Sequence, residues 1–245
     1  MISGMLFKLK LKAMFIHCLI SLLIFSAIAY CVFDYFYPSF HLKMSGGLQG
    51  IALMFCVDVV LGPLLTFMVY NKEPEKTKNK LYFDFICIGL LQISALIYGF
   101  YTVYVERPQL VLFFEDGNAT VINARDLKET PFMRNVDVTE IQNFKKVGEI
   151  PGAFYGYNTK TRQQVFANVS EAPAEFLKKS QENIYRYMEE KPKQEIETIQ
   201  KRVNQPLLVF EVFSKYVRAY MLFDREFNFI GFANVQELYA ADGDE

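Results

Sequence analysis

The residues best placed to do chemistry lie inside apolar sequence. Asp58 falls well within the apolar run 50–70, where an ionised carboxylate costs roughly 3 kcal/mol on insertion scales and as a rule faces a partner or a cavity. Two roles are open to it. It is a functional site, or it is held neutral and hydrogen-bonded to a neighbouring helix, with Ser94, Gln92 or His17 as candidates. Gly62-Pro63 follows one turn later, and a proline inside a helix removes a backbone bond and kinks it, which would open backbone polar groups near Asp58. Asp84, in the run 81–104, invites comparison with an aspartyl dyad. Depth argues against it: Asp58 is twelve residues from Tyr70 and Asp84 four from Lys80, so at 1.5 Å per residue they differ by roughly 12 Å in height. A shared-proton pair needs about 3 Å. Asp84 is better matched to Lys80, one turn away. His17 has no second histidine nearby and reads as a neutral imidazole bonded to a neighbouring helix. Gly46-Gly47-Leu48-Gln49-Gly50 lacks the following Lys and the strand-loop-helix setting of a phosphate cradle, and reads as a flexible lead into the next run.

Helices must position these groups. The runs 13–36, 50–70 and 81–104 are each long and apolar enough to cross a bilayer, and a lipid-embedded backbone is satisfied only if helical. Three spans are therefore expected. Lys8, Lys10 and Lys12 precede the first, and Lys72, Lys76, Lys78 and Lys80 fill the loop 71–80, whereas the loop 37–49 holds only Lys43. The lysine-rich ends stay in the cytoplasm, so residues after Tyr104 emerge on the other side, the periplasm in a bacterium. The alternative for the first run is a cleaved signal peptide, with Ala27-Ile28-Ala29 as the cleavage site. Either way the C-terminal domain ends up outside. All four cysteines lie in the spans, so they read as small apolar packing residues rather than a disulfide framework.

Residues 105–245 suffice for one compact domain. Leu110–Phe114 and Ala119–Ile122 flank an Asp-Gly turn and predict a hairpin, as do Arg218–Phe223 and Phe229–Ala233 around residues 224–228, with a further strand over 207–213. Between them, Leu177, Ile184 and Met188 form one stripe and Ile196, Ile199 and Val203 another, predicting amphipathic helices over 173–190 and 194–203, broken at Lys191-Pro192. Strands, then helices, then strands give an α+β fold: a three-helix transmembrane bundle, with 1–12 as a basic cytoplasmic N-terminus, followed by a periplasmic domain with a mostly antiparallel sheet and two helices.

Residues 1–104 carry 8 Lys and Arg against 5 Asp and Glu, and residues 105–245 carry 18 against 22. A mildly acidic outer half without a basic patch excludes nucleic acid as a partner, which needs clustered cations to displace counterions from phosphate. After Tyr104 there is no His and no Cys, which removes the usual triad base, thiolate nucleophile and zinc ligands, and GxSxG, P-loop and GxGxxG patterns are absent. No cofactor or metal is expected. Carboxylates of the outer domain remain available to a membrane-anchored hydrolase or transferase, which would need a deep polar pocket holding a perturbed carboxylate pair.

The combination resembles the TfpX/TfpZ type IV pilin accessory proteins. The resemblance runs through His17 with Ser21, Tyr37-Pro38, Gly46-Gly47 with Gly50, the block from Asp58 through Gly62-Pro63 to Thr66, then Asp84, Gln92, Ala95-Leu96, Tyr98-Gly99 and Arg107-Pro108. Leu48 departs from it, standing where an aromatic is expected after the paired glycines. The resemblance implies a non-enzymatic protein of the bacterial inner membrane that assists the handling, assembly or stability of type IV pilin. Its partners would be the pilin subunit, other pilus-assembly proteins and the lipid bilayer. Joined to the residues above, it makes Asp58, Gly62, Pro63 and Gln92 the candidate site for docking the pilin membrane helix, with the outer sheet touching the pilin head.

Overall fold

The computed structural model describes residues 2–37, 41–70, 78–129, 138–158, 161, 163–214 and 216–237. Two compact units result: Met1–Phe36 with Gly47–Val105, and Tyr37–Gly46 with Glu106–Glu245.

The first unit is helical. Helix α1 (Ile2–Cys31) runs on into a π-helical turn, Val32–Phe36. A short helix, α2 (His41–Met44), belongs to the second unit. Helix α3 (Gly47–Phe55) passes through a second π-helical stretch, Cys56–Leu61, into α4 (Gly62–Val69), and α5 covers Lys78–Val105. Phe7–Phe36, Gly47–Val69 and Leu81–Val105 are long and apolar enough to cross a membrane. The helix begins before the apolar run, because the leucines and lysines ahead of residue 13 are good helix formers and α1 takes in Lys8, Lys10 and Lys12. Residues 71–77 of the lysine-rich loop, and the side chain of Lys80 proposed to pair with Asp84, lie outside what is described. α1 packs on α4, and α5 on α3 and α4.

The second unit is a mixed eight-stranded sheet with β1 (Pro108–Phe114), β2 (Asn118–Asn123), β3 (Lys146–Val147), β4 (Ile150–Asn158), β5 (Gln163–Asn168), β6 (Leu208–Phe213), β7 (Val217–Phe223) and β8 (Phe229–Glu237). The strand order is β3-β4-β1-β2-β6-β7-β8, with β5 paired to β4. Both expected hairpins form, and β3–β4, β4–β5 and β6–β7 are further antiparallel pairs of consecutive strands. Pairing is antiparallel except between β1 and β4 and between β2 and β6. Short helices α6 (Asp126–Glu129) and α7 (Val138–Ile141) follow β2, and α8 (Ala174–Tyr187) and α9 (Glu190–Val203) precede β6.

Alternation along the strands sorts the core into faces. Phe113, Phe210, Met221, Phe223 and Phe227 form a phenylalanine-rich cluster, with Phe113 and Phe210 ring centroids 4.7 Å apart. Val209, Tyr220 and Leu222 meet the stripes Ile184, Ile196, Ile199 and Val203 of α8 and α9. The break between these helices falls at Met188-Glu189, not at Lys191-Pro192, because proline is tolerated in a first helical turn and Pro192 occupies one. Two polar contacts fix α8. Gln181 accepts from the Val209 N–H (2.9 Å) and donates to its C=O (3.0 Å), standing in for a strand on the edge that β2 leaves open below its pairing with residues 211–213. Gly117 turns the first hairpin at φ +90°, where a Cβ would come 2.8 Å from the Ser180 carbonyl.

The stretch Gly46-Gly47-Leu48-Gln49-Gly50, expected as a flexible lead, is instead ordered: Gly46 and the short helix α2 before it belong to this domain, and Gly47 begins α3. Met44 joins the phenylalanine-rich core, Tyr37 and His41 are buried, and Gly46 holds φ +79° where a Cβ would lie 2.4 Å from the Tyr216 ring. The domain boundary at 105 is therefore incomplete, and the domain does contain a histidine. His41 is 0% exposed, and burial lowers its pKa to about 3, so it is a neutral core imidazole without access to a substrate.

Candidate functional site

Asp58 is the twelfth of the 23 residues of the middle apolar helix, at its centre, and is 7% exposed. Its carboxylate Oδ1 accepts from Gln92 Nε2 of α5 at 3.2 Å. The other oxygen, Oδ2, is shut from solvent and has no hydrogen-bond partner among the described residues. Each of the two roles open to Asp58 thus fits half of the carboxylate.

The backbone around Asp58 explains why Gln92 is there. The π-helical turn sends the Gly62 N–H to the Val57 carbonyl, five residues back. The Asp58 carbonyl would next look to residue 63, which is proline and has no N–H. Gln92 Nε2 reaches this orphaned carbonyl at 3.3 Å, so one amide serves both the side chain and the main chain of Asp58. Gly62 makes the approach possible: a Cβ on it would lie 1.9 Å from that same Nε2. Asp58, Gly62, Pro63 and Gln92 therefore meet in one constellation. Proline also leaves the Val59 carbonyl without its α-helical partner, and the Cys18 thiol approaches it at 4.0 Å.

His17 bonds elsewhere. Its Nδ1 lies 2.5 Å from Thr66 Oγ1, tying α1 to α4, as the bland reading of this histidine expects. Ser94 donates its hydroxyl to the Leu90 carbonyl of its own helix and is not the Asp58 partner.

Beside this constellation a cleft of about 190 Å³ opens between the second and third apolar helices. Asp58 lines it together with Gly50, Leu53 and Met54 on one side and Ala95, Tyr98 and Gly99 on the other. Single-residue reasoning finds Asp58 but not the cleft, whose only sequence signal is the Gly50, Ala95 and Gly99 set of small residues.

The sheet domain holds a separate cleft of about 260 Å³, floored by Phe154 and Phe176 and edged by Glu115, Tyr157, Glu175 and Lys179. Burial works against the Glu115 carboxylate. The Lys179 ammonium and the Tyr157 N–H, both donating to it, more than offset that and hold its pKa below the usual value. Glu115 is an ion-pair acceptor.

The chain thus joins a helical unit whose three apolar helices are long enough to cross a membrane, with a buried carboxylate at the centre of the second, to an α+β sheet domain. Against known proteins, the chain is 39% identical over 108 residues to the fimbrial assembly protein of serogroup I of Dichelobacter nodosus, covering 44% of this chain and 40% of that one. It is 38% identical over 112 residues to the fimbrial assembly protein of serogroups C1 and C2 of the same organism, covering 46% of this chain and 82% of that one. A third relative, the fimbrial assembly protein of serogroup E1, is 38% identical over 112 residues, 42% of its length. The chain belongs to this family of fimbrial assembly proteins. It spans about two fifths of the length of the serogroup I and E1 relatives. No family model matches it, and no solved structure matches it.

Proposed function

We propose that this chain is a non-enzymatic accessory protein of type IV fimbrial assembly in the bacterial inner membrane, of the TfpX/TfpZ kind. Its N-terminus lies in the cytoplasm and its sheet domain in the periplasm. It assists handling, assembly or stability of the fimbrial subunit by binding the subunit's membrane helix at the Asp58, Gly62, Pro63 and Gln92 constellation and its head at the sheet domain.

The observation that carries this reading is the half-satisfied carboxylate of Asp58 at the centre of an apolar helix. Polar groups so placed are costly and mark contact sites by default. That the loop after the first span and the residues after the third emerge on one side is supported by Met44, which shares a core with strands that follow the third span; that this side is the periplasm rests on the lysines before the first span and in the loop 71–80. The ion-paired state of Glu115 supports binding over acid catalysis in the sheet-domain cleft.

Deleting the gene and complementing with Asp58→Asn and Pro63→Ala tests the proposal by shearing and weighing surface fimbriae. Deletion should abolish or sharply reduce fimbriae, and both variants should restore them poorly at wild-type protein levels. Normal fimbriation with both variants removes the site, and normal fimbriation without the gene removes the function.

A further inference from the structure

The two edges of the sheet are finished differently. At one edge β8 shifts register against β7, Asn234 stands at φ +48° with its N–H taken by Glu195 of α9, and α9 packs against the strand. Bulges and cover of this kind keep an edge from pairing with another chain. At the other edge β5 has neither. Its six residues pair with β4 in unbroken register from Gln163 to Asn168 and include no charge and no proline. Among the described residues, β4 is the only strand with which β5 pairs.

Register decides which main-chain groups of β5 are open. The Gly152 N–H donates to the Lys145 carbonyl just before β3, and the Tyr157 N–H donates to Glu115 just after β1. Main-chain groups alternate sides along a strand, so the even-numbered residues of β4 bond towards β5 and the odd-numbered ones towards β1. Gln163, Val165 and Ala167 stand opposite even-numbered residues and are the ones bonded to β4. Gln164 and Phe166 therefore turn their N–H and C=O groups away from the sheet.

We infer that β5 pairs antiparallel with β5 of a second copy of this chain, joining the two sheets about a two-fold axis. Gln164 of one copy lies opposite Phe166 of the other, each exchanging its N–H and C=O bonds, and Val165 faces itself at the axis. In such an isologous contact a charge on the strand would meet its like, which is destabilising. Gln163–Asn168 carries none. The nearest charges in sequence are opposite in sign, Arg162 before the strand and Glu171 after it, and an antiparallel copy brings one towards the other. A foreign strand would be selected by complementary charge, which β5 does not offer. The contact goes beyond the assembly function and does not depend on the Asp58 constellation.

The test places a photoreactive phenylalanine at position 163, or at 235 on the opposite edge where Val235 is 57% exposed, and measures covalent dimers of the full-length chain in native membranes. Dimers should form from position 163 several-fold more than from 235. Gln164→Pro deletes an outward N–H without touching a bond to β4, and Gln164→Lys sets like charges diagonally across the axis. Each should lower the yield from position 163 several-fold at unchanged protein level. Co-expressing the Gln164→Lys and Gln164→Glu forms should restore it, which a variant that merely misfolds would not do. Equal yields from the two positions, products made only with other proteins, or no recovery in the mixed strain would each overturn the inference.

Discussion

Gly62 and Gln92 should behave as one unit, and a double-mutant cycle measures this. In Gly62→Ala the new Cβ would meet Gln92 Nε2 at 1.9 Å, and because that atom ends a flexible side chain, the amide swings away rather than the helices parting. Both of its bonds to Asp58, at 3.2 and 3.3 Å, are then lost. Interhelical hydrogen bonds in membranes contribute about 0.6–1.7 kcal/mol each, so roughly 1–3 kcal/mol is at stake for the two. Alanine returns about 1 kcal/mol of helix propensity over glycine. Gly62→Ala alone should therefore cost about 0–2 kcal/mol. On a Gln92→Ala background, with no amide to displace, the same change should be neutral or stabilise by about 1 kcal/mol. The readout is unfolding of the purified chain in mixed micelles with increasing denaturing detergent, followed by helical circular dichroism. A coupling of about 1–3 kcal/mol is expected. Costs that add to within about 0.5 kcal/mol would refute the idea that Gly62 exists to admit Gln92.

Gly46→Ala forces a side chain onto φ +79° and against the Tyr216 ring, and should destabilise the sheet domain by about 1–3 kcal/mol, seen as faster proteolysis of that domain in membrane vesicles. Gln181→Leu leaves the Val209 N–H and C=O without their bonds and should cost about 2 kcal/mol, with faster amide hydrogen exchange at Val209 than in wild type. His41 is held neutral by burial down to about pH 3, whereas its unfolded form protonates near 6.5. Stability from this group is thus complete above pH 6.5 and lost as pH falls from there towards 3, so thermal unfolding of the sheet domain should show an acid sensitivity that His41→Phe reduces.

Composition and period alone determined much of this protein. Apolar runs of this length can satisfy their backbones in lipid only as helices, so the three long apolar helices are legible without coordinates. The Asp116-Gly117 turn between β-branched and aromatic runs is equally local, as are the stripes of α8 and α9, because each depends on residues a few positions apart. Asp58 and Gly62-Pro63 stood out for the same reason. Which of three candidates would satisfy Asp58 was not legible: Gln92 lies 34 residues away, and its role depends on a π-helical turn that leaves the Asp58 carbonyl facing a proline. The β4–β5 hairpin escaped notice because Gly152, Gly156 and the polar start of β5 dilute its alternation. Gly46-Gly47, read as part of a flexible lead, was not legible for a deeper reason: paired glycines look like a loop, and only the long-range approach of Tyr216 to Gly46, beside the buried Met44, makes this position part of a core. Local chemistry specified the elements and the polar residue inside the apolar helix. Tertiary packing chose that residue's partner, left one of its oxygens unmatched and set the cleft beside it.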